Sequence, residues 1–232
     1  MSDRTGRGVR IAVIDSGVNA QHPHIEASVA GGVAILPGPT RQEGDFTDCL
    51  GHGTAVMAAI QEKAPGAEYF ALRVFHEALK TNAACLIDAI DWAIEHRVHV
   101  VNLSLGTVNM AHTERFNEAV ARATEQNVII VAARDAYGEP CLPGSLPEVL
   151  GVGLDWELDR EKYRVEGIGT ETLFFASGYP RSAPGVPLRR NLHGISFAVA
   201  NMTGFVARCC EGLAHRSLGT VREILIADLT GA

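Results

Sequence analysis

The feature that most restricts the fold is an alternation of β-branched runs with segments of helical period. Val9-Arg10-Ile11-Ala12-Val13-Ile14 is almost wholly apolar and ends at Asp15-Ser16-Gly17, as expected of a strand covered on both faces. Further strands are predicted at 68–74, 98–103, 127–132 and 147–152, the last after a Pro/Gly loop. Helices are predicted at 54–61, 82–96 and 113–126, and then at 196–213 and 218–228. In the second of these, Leu86, Ile87, Ile90, Ala93 and Ile94 recur at helical spacing. The polar stretch 155–170 reads as a hairpin from Trp156 to Val165. This alternation predicts an α/β fold of three layers, with a mainly parallel central sheet flanked by helices and joined by right-handed crossovers.

No repeat and no linker interrupts the pattern, so residues 1–232 read as a single domain. The net charge of −7 and the absence of a dense Lys/Arg run argue against nucleic acid as a partner. The same acidity favours neutral or basic partners over acidic ones. No apolar run approaches the roughly 18 residues of a membrane span, so no membrane association is expected. The polar start, Met-Ser-Asp-Arg-Thr-Gly-Arg-Gly, lacks the apolar stretch of a signal peptide, and no pro-domain is expected in this chain. Cysteines at 49, 85, 141, 209 and 210 form no CxxC pair and are odd in number. They are expected as thiols in a reducing compartment, hence a cytoplasmic location.

Three segments carry groups suited to catalysis, and each alone has an ordinary structural explanation. Asp15 ends the first strand, where acidic residues are common in α/β sheets and where sites also form. Gly51-His52-Gly53-Thr54 opens a helix, with two glycines leaving the imidazole reachable for proton transfer. Gly194-Ile195-Ser196-Phe197-Ala198 opens another, where a serine is most often a cap. Taken together they match the Asp, His, Ser order of one type of catalytic triad.

On these motifs the sequence resembles the subtilisin-like serine proteases, the subtilase family (peptidase family S8), from Val9 to about Val206. Val13–Val18 followed by His22-Pro23 resembles the family's Asp motif, and Gly51–Thr54 its His motif. Val101-Asn102-Leu103-Ser104-Leu105-Gly106 resembles the substrate-binding strand. Leu142-Pro143-Gly144 and Val149–Gly153 resemble a later loop and strand, and Gly194–Ala198 the serine motif. The resemblance implies a serine endopeptidase acting on a peptide or protein through an acyl-enzyme, without a cofactor. It implies Ser196 as nucleophile, His52 as general base and then acid, and Asp15 as the group that orients His52. Ser104, Leu105 and Gly106 would pair with an extended substrate and line the pocket for the residue before the scissile bond. The oxyanion would be held by the Ser196 N–H at the helix N-terminus and by the group at position 135.

That last position departs from the family. Asp135 stands where an Asn usually donates the second oxyanion hydrogen bond, and Arg134 replaces a Gly. Three readings follow: a protonated Asp135 donates, Arg134 or a backbone group donates instead, or turnover is slow or absent. Some subtilases carry Asp here and are regarded as active. The alternative function is therefore a catalytically weak or inactive, peptide-binding relative. Ala200 replaces the proline that usually follows the serine motif. The segment 59–66 is too short for the family's calcium-binding loop, so no calcium is expected there and no metal elsewhere. Asp45, Asp48, Asp155 and Glu157 read as loop carboxylates rather than ligands. Cys49, three residues before His52, reads as a small apolar filler or as a modifiable thiol near the site. A nucleotide-binding domain is disfavoured because no glycine-rich phosphate loop follows the first strand. Within the protease reading, chain size and compartment suggest dedicated peptide maturation, such as removal of a leader.

Overall fold

The computed structural model describes residues 3–38, 40–75, 78–167, 172–187 and 190–230. The first strand, β1 (Arg10–Asp15), lies in the interior of a nine-stranded sheet. Its neighbours are β4 (Glu68–Arg73) on one side and β5 (Val100–Leu103) on the other, both parallel to it. Beyond β5 come β6 (Ile129–Ala133), β9 (Leu150–Leu154) and β11 (Leu173–Ala176), again parallel. Beyond β4 lies β2 (Val29–Ile35), also parallel. Only the two edge strands, β3 (Arg41–Glu43) and β10 (Tyr163–Glu166), run antiparallel to their neighbours. A separate two-stranded ribbon pairs β7 (Asp135–Ala136) with β8 (Glu139–Pro140).

The layers follow from the period-two alternation along each central strand. Ile11 and Val13 of β1, Tyr69 and Ala71 of β4, and Ile129 and Val131 of β6 pack on one face. There they meet α1 (His52–Lys63), α4 (Ile195–Cys210) and α5 (Leu218–Thr230). Ala12 and Ile14, Phe70 and Leu72, and Ile130 and Ala132 pack on the opposite face. That face is covered by α2 (Ala83–Glu95) and α3 (Thr113–Glu125). A sheet buried on both faces needs apolar residues at every position, which is why these strands carry continuous β-branched runs. The expected three-layer α/β fold is what is observed.

α4 is buried from Phe197 to Ala207, and again at Cys209 and Cys210, because it runs against the sheet beneath α1 and α5. Ala200, at the usual proline position, lies within an unbroken helix.

The β7–β8 ribbon lies in what reads from the sequence as a Pro/Gly loop, and two further regions differ from the sequence expectation. The hairpin lies further along the chain, pairing Tyr163–Glu166 with Leu173–Ala176 instead of folding between Trp156 and Val165. Residues 156–162 make turns, in which the Asp155 and Asp159 side chains accept from the Glu157 and Glu161 N–H groups. Their charged side chains favour water, whereas Tyr163 and Phe174 carry the hairpin onto the core. The strands β2 and β3 are also additional. Gly31-Gly32 interrupts the β-branched signal in β2, and β3 is a three-residue polar edge.

Candidate active site

The carboxyl ends of parallel strands form the side of the sheet where sites assemble, and β1 ends there at Asp15. Asp15 is fully buried. Its Oδ1 accepts from the Ser16 N–H at 2.7 Å and lies 2.7 Å from His52 Nδ1. Its Oδ2 is buried without a hydrogen-bond partner. An incompletely satisfied buried carboxylate is costly, and such groups are retained where they act.

His52 is the first residue of α1, and the two flanking glycines place it there. Gly51 adopts φ +80°, a left-handed conformation that lets the chain turn sharply into the helix. At Gly53 a Cβ would fall 2.2 Å from the Gly17 carbonyl oxygen and 3.1 Å from the Asp15 Cβ. Only a residue without a side chain lets the start of α1 approach the end of β1 this closely.

The loop ahead of α1 adds an anchor. Asp48 Oδ1 accepts from the Ser16 hydroxyl at 2.9 Å and from the N–H groups of Leu50 and Gly51. Its Oδ2 accepts from the Thr54 N–H at 2.9 Å and the Thr54 hydroxyl at 2.6 Å. The Ser16 Oγ in turn accepts from the Gly53 N–H at 2.8 Å. Burial opposes ionisation of Asp48, but the Thr54, Leu50 and Ser16 donors outweigh it and hold its pKa below the ordinary value. For His52, burial is the largest single influence and acts downward. The hydrogen bond and charge of Asp15, with the charge of Asp48, together raise its pKa above the usual 6.5.

Ser196 is the second residue of α4, so its N–H has no partner within the helix. Its Oγ donates to the Ser104 carbonyl at 3.1 Å. The Ser104 hydroxyl donates to the Ser196 carbonyl at 3.3 Å. Asn102 Nδ2 donates to Ser104 Oγ at 2.8 Å, and Thr203 Oγ1 donates to Asn102 Oδ1 at 2.9 Å. This chain of polar contacts fixes the start of α4 to the end of β5. The Phe197 ring lies 5.8 Å from the His52 ring, so the first turn of α4 stands against the imidazole.

Thus Asp15 and His52 are in direct contact, while the Ser196 hydroxyl is turned to Ser104. Ser104, Leu105 and Gly106 continue from β5 and become progressively more exposed, up to an antiparallel bridge between Thr107 and Leu142. Asp135 is half-buried in β7, and its Oδ1 accepts from the Gly138 N–H at 3.2 Å. The Arg134 side chain lines a cavity of about 590 Å³ shared with Thr172 and Arg222, on a wall that includes neither His52 nor Ser196. Cys49 is exposed, with its Sγ 3.9 Å from the Thr47 carbonyl, rather than packed as a filler.

Ser16, Asp48, Asn102 and Thr203 were not assigned as site residues from the sequence. Ser16 and Asn102 lie inside the Asp motif and the substrate-binding strand without a role assigned, Asp48 left a signal as an acid just ahead of a helix start, and Thr203 left none.

The model of the subtilase family matches residues 6–139. M-protease of Shouchella clausii (strain KSM-K16) is 29% identical over 223 residues, covering 90% of this chain and 54% of that protein. The chain therefore spans about half the length of that relative. Subtilisin Savinase of Lederbergia lenta is also 29% identical over 223 residues, covering 90% of this chain and 76% of its own. Among solved structures, a lanthipeptide protease superposes with a TM-score of 0.70 at 19% identity, over 93% of this chain and 78% of that one. With its Asp, His and Ser motifs ending β1 and opening α1 and α4, the chain belongs to the subtilase family.

Proposed function

We propose that this chain is a serine endopeptidase in which Ser196, His52 and Asp15 form the catalytic triad. The observation that carries this reading is the 2.7 Å contact between His52 Nδ1 and the buried Asp15 carboxylate. With Nδ1–H donating to Asp15, His52 Nε2 is left as the acceptor. Ser196 Oγ leaves the Ser104 carbonyl, gives its proton to Nε2 and attacks the substrate carbonyl. The imidazolium formed is stabilised by Asp15. The oxyanion is held by the Ser196 N–H, assisted by the dipole of α4. His52 then returns the proton to the leaving amine, and water releases the acyl group by the same steps in reverse.

The substrate is a peptide or protein lying extended along Ser104, Leu105 and Gly106. Within this class we favour a dedicated role in peptide maturation, inside a reducing compartment and as a single domain. The odd number of cysteines, with no CxxC spacing, supports the compartment. Among the described residues no helix is long and apolar enough to cross a membrane.

The second reading, a weak or inactive peptide binder, is favoured by Asp135 alone. An ionised carboxylate cannot donate to the oxyanion. In the family itself, losing this donor costs about 10²–10³ in turnover. A fluorophosphonate probe separates the readings. Covalent labelling that Ser196→Ala abolishes is expected, and wild-type protein that resists labelling while binding peptide would establish the binder. Asp135→Asn is expected to raise turnover, by up to that same factor, and a slower variant would assign a donating role to the Asp135 carboxyl.

A further inference from the structure

A cleft of about 660 Å³ opens beside the segment that follows Ser104. Leu105, Gly106 and Thr107 form one wall, and residues 79–84 form the other. Its base is apolar, with Leu86 from α2 and Phe75 just beyond β4. Its rim carries Lys80 on one side and His112 and Arg115 on the other. No aspartate or glutamate lies among the described lining residues. Lys80 and Arg115 are exposed, and neither is held in an ion pair with a described residue. Several of the chain's other cations are held differently. Arg41, Arg73, Arg122, Arg164 and Arg181 each face a carboxylate within the protein. In a chain of net charge −7, two unpaired cations at the mouth of one cleft form a local field opposite to that of the whole molecule.

We infer that this cleft selects substrates by an acidic side chain on the amino-terminal side of the scissile bond. The inference rests on the protease reading above, in which an extended peptide runs along Ser104–Gly106. Such a strand advances about 3.3 Å per residue and sends alternate side chains to the same side. A residue a few positions before the cleaved bond therefore directs its side chain between Leu105 and residues 79–84. The methylenes of a glutamate rest on Leu86 while its carboxylate meets Lys80 and Arg115. The acidic preference reverses the one that the overall charge suggests, because screening limits the distant surface charges to about 8–10 Å while the rim cations touch the ligand.

The test is digestion of a degenerate peptide library by the full chain, with the products sequenced by mass spectrometry. Glutamate or aspartate is expected to be enriched at one upstream position, about three- to thirtyfold in kcat/KM over the matching amide, as two partly exposed ion pairs would give. The enrichment shrinks as salt is raised. In the double variant Lys80→Glu/Arg115→Glu the preference passes to lysine or arginine at that same position. This change of sign also establishes that the variant is folded. Cleavage with no charge preference upstream overturns the inference and leaves the protease reading intact. Neither cleavage nor fluorophosphonate labelling overturns both. A wild-type preference for acid that the double variant retains assigns the selection elsewhere and overturns the role of this cleft.

Discussion

At the scale of single residues, the acid–base behaviour of His52 is set by two carboxylates with different duties. Asp15 touches the imidazole, whereas Asp48 is saturated by five donors and acts on His52 only through its charge. A general base works only when neutral, so the acidic limb of kcat/KM reports the pKa of His52 in the free enzyme. That pKa is raised, so activity is expected to climb with pH through a midpoint above 6.5. The same shift has the opposite sign for stability. The contribution of the Asp15–His52 pair is complete below 6.5 and is lost as pH rises through the raised value. Asp48→Asn keeps the shape of the side chain but removes the charge, so the limb should move to lower pH while Asp15 stays in contact. A limb unmoved in Asp48→Asn, measured from pH profiles of both proteins, would restrict Asp48 to capping α1.

At the scale of elements, the site depends on how near one helix start comes to one strand end. The Gly-His-Gly motif was legible in the sequence as a reachable histidine; its reason is the contact of Gly53 with the Gly17 carbonyl, between residues far apart in the chain. Gly53→Ala should push α1 off β1. We expect a loss of about 1–3 kcal/mol in stability, the usual cost of overpacking, and a larger loss of activity as His52 parts from Asp15. Gly219, near the start of α5, is the control, because a Cβ there meets nothing nearer than Ser217 Oγ at 3.9 Å. Gly219→Ala should be neutral or stabilising by up to about 1 kcal/mol. Thermal melts and kcat/KM of the two variants decide the matter, and a Gly53→Ala protein as stable and active as wild type would remove close approach as the reason for the motif.

At the scale of the whole molecule, the central parallel strands were legible because burial on both faces leaves a continuous apolar run. β3 and β10 were not, because edge strands keep one side in water; the interior strands β2 and β11 were missed because Gly31-Gly32 breaks the apolar run of β2 and the pairing of β11 with β9 and β10 is set by the fold. The same distinction applies to the site: the triad candidates sit in local motifs, while the contacts of Ser16 with Asp48 and Gly53, and of Thr203 with Asn102, arise only through the fold. It also bears on metal dependence, for which we propose that none exists. α1 passes to β4 through Ala64-Pro65-Gly66, whose Gly66 N–H donates to the Thr5 carbonyl at 2.8 Å. Three of the four loop carboxylates considered as ligands have other partners. Asp45 binds Arg73 at 2.5 Å, Asp155 binds Arg164 at 3.2 Å, and Asp48 caps α1. Binding at a hundred times Kd would add about 2.7 kcal/mol to the folded state. At this chain length its removal would lower Tm by about 5–10 °C. Melting curves and peptidase rates recorded with calcium and with a calcium chelator are therefore expected to superimpose. A chelator-induced fall of that size, reversed by added calcium, would place a cation site in this chain and overturn the proposal.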